Sequence, residues 1–185
     1  GEEYPPTSNP EISVGVTGTA PLESVELFRG LERIYSHTIS APRSDNRVRI
    51  LWEGASQKSS YSAAVWDGCL NVTGRKIASV EMVRFDSPRS LILDEREDGL
   101  SWYSITCGYC SGMILELDGD GDAELEIAID TSLFTSMSSI PAEKVAFSVS
   151  LQELTEGPKE VEIGELNRKV TVSFAPGAGG TETAE

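Results

Sequence analysis

The stretch Glu124-Leu125-Glu126-Ile127-Ala128-Ile129-Asp130 sets a large aliphatic side chain against a charged or small one at every step. Successive strand side chains point to opposite faces, so Leu125, Ile127 and Ile129 share one face and Glu124 and Glu126 the other. A strand apolar on one face only belongs to an antiparallel sheet with one side in water. The same period runs through the chain. Val48, Ile50 and Trp52 alternate with Arg47, Arg49 and Leu51, and Val145, Phe147, Val149 and Leu151 alternate with Ala146, Ser148 and Ser150. Val170, Val172 and Phe174 close the series, and Ile12, Val14 and Val16 open it.

Turn signals separate these runs at short spacing: Thr17-Gly18, Arg29-Gly30, Glu53-Gly54, Asp67-Gly68, Thr73-Gly74, Asp98-Gly99, Asp118-Gly119 and Gly157-Pro158. Glycine and proline suit such breaks because they supply a positive or a fixed φ. About ten to thirteen strands fit between them by spacing. No amphipathic helix stands out, and residues 131–139 leave room for one helical turn. The expectation is an all-β fold: an antiparallel two-sheet β-sandwich, partly immunoglobulin-like, of about ten or more strands.

The chain has 185 residues, 39% of them hydrophobic, which suits one domain with a substantial core. Residues 1–10, with Pro5, Pro6 and Pro10, read as an extended linker, and residues 11–174 as the sandwich. Residues 175–185, APGAGGTETAE, read as a flexible tail. The net charge is −15, of which residues 1–93 carry −1 and residues 94–185 carry −14. An acid excess of this size opposes binding to nucleic acid. No apolar run is long enough for a membrane helix, so no membrane insertion is expected. The odd count of three cysteines argues against a disulfide-dense secreted scaffold. Cytoplasmic placement is therefore favoured over secretion.

Few motifs carry chemistry. Cys107-Gly108-Tyr109-Cys110 has the spacing of thiol oxidoreductases and zinc half-sites. Redox use calls for a helix N-terminus, whereas strand-like runs flank this pair. A zinc site would need Cys69 and His37, and no spacing joins them. Small half-buried thiols at a strand end are expected, with a local disulfide as the alternative. Asp118, Asp120 and Asp122 resemble the opening of a calcium loop, but the sixth position is Ala123 and the twelfth Ile129. A hairpin turn is the simpler reading, with weak calcium binding beside it and no other cofactor. Trp52, Trp66 and Trp102 adjoin apparent strand ends and are expected to pack over sheet edges; exposed, they would stack on sugar rings as in a carbohydrate-binding module. His37 is the single histidine, and no nucleophile elbow, Walker A loop or dinucleotide fingerprint occurs. Paired carboxylates for a stand-alone hydrolase remain a third reading.

Three stretches resemble the C-terminal β-domain of a family of uncharacterised proteins whose N-terminal part is similar to PHP-type metal-dependent phosphoesterases. They are Asn9-Pro10-Glu11-Ile12-Ser13-Val14 with Gly18 to Gly30, Ile50-Leu51-Trp52-Glu53-Gly54 with Trp66 to Val72, and Trp102 to Gly108 with Gly112. The resemblance spans roughly residues 9–130 and implies a non-catalytic accessory domain whose partner is the N-terminal catalytic domain of its parent chain. It implies no metal ligand here, because the family's histidine-rich site has no counterpart beyond His37.

Overall fold

The computed structural model describes residues 14–16, 24–38, 43–55, 63–85, 87–134 and 139–176. Two compact units emerge, Gly1–Pro42 with Ala178–Glu185, and Arg43–Gly177. In the first, β1 (Ser24–Arg29) and β2 (Glu32–Thr38) pair as an antiparallel hairpin turning at Gly30.

Among the described residues, the second unit holds ten strands and one short helix. These are β3 (Arg43–Glu53), β4 (Ala63–Thr73), β5 (Lys76–Val83), β6 (Leu91–Arg96), β7 (Gly99–Thr106), β8 (Cys110–Asp118), β9 (Glu124–Phe134), β10 (Ser139–Ser150), α1 (Leu151–Glu156), β11 (Lys159–Glu162) and β12 (Lys169–Pro176). They form two five-stranded antiparallel sheets, ordered β10-β9-β4-β7-β6 and β11-β12-β3-β8-β5. The expected all-β sandwich is the fold, and one continuous core drawn from both sheets fills it.

The predicted faces hold. Leu125, Ile127 and Ile129 are buried while Glu124 and Glu126 are exposed, and Val48, Ile50, Trp52, Val170 and Val172 are wholly buried. In the two five-stranded sheets the pairings of edge strands β5, β6 and β10 are interrupted, at Ile77/Ser79, Ile92/Asp94 and Ile140/Glu143. Such bulges blunt the edges of an open sheet against further pairing.

Several expectations need correction. Residues 14–16 lie outside any strand, and Val14 and Val16 are about half exposed, because period two alone supplies no pairing partner. Residues 131–134 continue β9 instead of starting a helical turn. Asp67-Gly68 is no turn: it lies in the middle of β4, where Ala64, Trp66, Gly68, Leu70 and Val72 all face the core. A Cβ on Gly68 would lie 2.2 Å from Trp102 Cζ2, so the missing side chain makes room for that indole. Ala175 and Pro176 belong to β12, and Ala175 is buried, so the strand runs into the expected tail; residues 1–10 and 177–185 lie outside the described residues. The β1–β2 hairpin is a two-stranded sheet of its own, and residue 11 lies outside the described residues.

One helix went unforeseen. Ser150 Oγ accepts from the Glu153 N–H, and the Glu153 carboxylate accepts from the Ser150 N–H, closing a capping box ahead of buried Leu151 and Leu154. The Ser-x-x-Glu spacing carries that signal in the sequence.

Candidate functional site

One end of the sandwich is built differently from the other. There β3, β5, β7, β9 and β11 arrive, and β4, β6, β8, β10 and β12 depart. Among the described residues, all five buried polar or charged ones lie at this end: Ser104, Thr106, Ser111, Thr131 and Arg168. So do the four described non-glycine residues with left-handed φ, Ala55 (74°), Arg84 (52°), Leu166 (60°) and Asn167 (55°). Each such conformation costs energy that its surroundings must offset, and clusters of them mark sites under functional constraint.

Arg168 anchors the end. It closes the β11–β12 loop, where the Ile163 N–H bonds the Arg168 carbonyl at 2.8 Å. Its guanidinium, 0% exposed, reaches across to the other sheet. Nη2 meets Glu143 Oε1 at 2.6 Å, Nη1 donates to the Thr131 carbonyl at 3.2 Å, and Nε donates to the Glu165 carbonyl at 3.2 Å. The side chain passes over Gly54, where a Cβ would stand 2.6 Å from Arg168 Cγ. A buried cation is tolerable only when paired and hydrogen-bonded in this way.

Beside it, Glu53, Glu162, Leu166, Asn167, Arg168 and Lys169 line a depression of about 390 Å³. Lys169 lies in register between Glu53 and Glu162, with Nζ 3.3 Å from Glu53 and 3.6 Å from Glu160. Its hydrogen bond to Glu53 and the Glu53 charge, then the Glu160 charge, raise the Lys169 pKa above the usual lysine value. The charged pairing is thus fully formed below that value and is lost only as pH rises through the raised one.

The three tryptophans define the interior beneath these loops, all 0% exposed. Trp52 and Trp102 stack across the sheets with centroids 5.1 Å apart, and Phe85 meets Trp52 edge-on at 5.9 Å. Trp66 Nε1 donates to Thr106 Oγ1 at 2.8 Å, which in turn donates to the Gly54 carbonyl. Sugar stacking needs an exposed ring face, and none of the three has one. The surface-tryptophan reading is overturned: the alternation that makes Trp52 an inward residue applies equally to Trp66 and Trp102.

Cys107 and Cys110 bracket the β7–β8 crossover as unpaired thiols, Cys107 exposed and Cys110 half-buried; Cys69, also exposed, lies in β4. Strands flank the pair as expected. Asp118, Asp120 and Asp122 lie at the opposite end, in the β8–β9 turn. Asp118 accepts from the Gly119 N–H, while Asp122 accepts from the Ala123 and Gln152 N–H groups and so ties the turn to α1. Arg75 donates to the Gly121 carbonyl. These carboxylates serve the turn, and among the described residues no three His, Cys, Asp or Glu side chains are grouped to hold an ion. His37 is exposed in β2.

On the outer face of one sheet, Asp67 and Asp130 stand opposite in register, with Lys144 Nζ 2.7 Å from Asp130. The Asp130 hydrogen bond and charge, with a further contribution from Asp67, raise the Lys144 pKa above its ordinary value.

Sequence reasoning missed Arg168 altogether. Its local signal is Gly164-Glu165-Leu166-Asn167-Arg168, a polar loop whose buried member is indistinguishable from its solvated ones by pattern. Among the described residues, no helix is long and apolar enough to cross a membrane. Comparison with protein-family models, curated proteins and solved structures finds no match to this chain.

Proposed function

We propose that this chain is a non-catalytic accessory module, an immunoglobulin-like sandwich that presents the loops of its Arg168 end to a neighbouring domain or partner. The observation that carries this reading is the convergence at that end of a buried cross-sheet guanidinium and four strained non-glycine residues. Strain retained with side chains in place favours a surface held ready for contact over a loose connector. A metallohydrolase-like neighbour in the parent chain is the partner that the sequence resemblance suggests.

The test is hydrogen exchange on this chain, alone and joined to the polypeptide encoded upstream in its own reading frame. Protection is expected at residues 54–55, 84–90, 107–109 and 163–168. Protection confined to 74–75, 97–98 and 119–122 would place the contact at the wrong end and remove the proposal. Saturable turnover of a phosphoester or glycoside by the isolated chain would remove its non-catalytic part.

A further inference from the structure

We infer that Cys107 and Cys110 form a reversible dithiol–disulfide site, closed by exchange with a small-molecule disulfide of the glutathione class. Four observations converge on this. β7 ends at Thr106 and β8 starts at Cys110, so the chain reverses direction between the two thiols. Just inside the two thiols Ser104 Oγ donates to Ser111 Oγ at 3.4 Å, so the two strand ends lie side by side, and a disulfide spans Cα separations of roughly 4.4–6.8 Å. Neither sulfur is joined in a disulfide, and with Cys107 exposed and Cys110 half-buried a small disulfide can reach them.

The shoulders of the crossover are fixed. The Gly108 N–H donates to the Gly54 carbonyl at 3.0 Å, Tyr109 Oη donates to the Ile105 carbonyl at 3.2 Å, and Ser111 Oγ donates to the Arg84 carbonyl at 3.0 Å. Closure is therefore confined to the crossover. Finally, Arg84 Nη1 lies 3.9 Å from Cys110 Sγ, a contact that orients this sulfur beside the crossover.

The reaction balances without any further oxidant. The Cys110 thiolate attacks one sulfur of the small disulfide; that S–S bond breaks and one small thiolate leaves. Cys107, having lost its proton to solvent, then attacks the Cys110 sulfur of the mixed disulfide and expels the second small thiolate. Two protein thiols are oxidised, one small disulfide is reduced, and the two cysteine protons end on the two released thiols. Cys69 supplies an internal control, because its register neighbours in the sheet are Ser101 and Ala128 and no second thiol faces it.

The test equilibrates the whole chain with reduced and oxidised glutathione at graded ratios, followed by acid quench, alkylation and mass spectrometry. Cys107 and Cys110 should lose alkylation together while Cys69 keeps it. Cys107→Ser should stall with one glutathionyl group on Cys110. Equal reaction at all three cysteines, stable separate adducts on Cys107 and Cys110, or both remaining reduced in fully oxidised glutathione would each overturn the inference. The wild-type result stands by itself if that variant fails to fold.

Discussion

The two ends of the sandwich solve the same closure problem with different chemistry. The end capped by α1 is aliphatic: Val48, Leu70, Val72, Leu100, Leu115, Leu117 and Leu125 fill it, and Leu151 and Leu154 cover it. Its left-handed turn positions are taken by Gly74, Gly119 and Gly121. The opposite end packs stacked indoles under hydroxyls and a guanidinium, and puts left-handed φ on Ala55, Arg84, Leu166 and Asn167. The first end is what stability alone asks of a sheet closure. The second carries desolvation and backbone costs that packing does not require, and that contrast directs attention to its loops.

The largest expected effect tests how the interiors of the two ends compare. Trp102→Ala should destabilise by about 4 kcal/mol in urea unfolding, and Leu117→Ala by about 3 kcal/mol, since both leave cavities. A Trp102→Ala cost under half that of Leu117→Ala would mean that the indole stack is loosely packed, and the contrast would collapse.

Next comes the guanidinium. Glu143→Ala strands a fully buried cation and should cost about 3 kcal/mol. Arg168→Met leaves Glu143, 44% exposed, free to rehydrate, and should cost only about 1.5 kcal/mol. Equal costs in thermal unfolding would show that the pair, and not the buried charge, sets the energetics of that end. At the aliphatic end Ser150→Ala removes the capping box and should cost about 1 kcal/mol, lowering the melting temperature by a few degrees.

The smallest effect has the opposite sign. Leu166→Gly relieves a left-handed leucine and should raise stability by about 0.5 kcal/mol, because the relief outweighs the added unfolded-state freedom. A loss of more than about 1 kcal/mol would mean that the half-exposed Leu166 side chain packs usefully and that the strain argument fails there.

The difference between the ends also explains what could be read in advance. Alternation reports which face of a strand is buried, and it placed Trp52, Ile127, Val149 and Val172 inside. It says nothing of depth along the strand, so tryptophans inferred to sit near strand ends were open to a surface reading. Asp67-Gly68 looked like a turn because glycine after aspartate usually is one; its actual role, clearing space for Trp102, depends on a residue 34 positions away. The dithiol crossover was legible as a spacing, but Arg84 beside it was not. Arg168 was invisible because a buried arginine is defined by partners on β9 and β10, and no local pattern encodes them.

The strand order has a further consequence for how the molecule comes into being. β3 lies between β8 and β12, and β4 between β7 and β9, so neither central strand pairs with its sequence neighbour. Pairings of such long sequence separation form slowly, since the intervening loop must be closed before any contact rewards it. During synthesis β3 emerges among the first strands of the sandwich and waits for the last, Lys169–Pro176, with one hydrogen-bonding edge unfilled. A chain stalled before residue 169 would present that edge, flanked by Ile50 and Trp52, to whatever strand came near. Completion of the C-terminal strand is thus the step that separates a nascent chain prone to mispairing from a closed one.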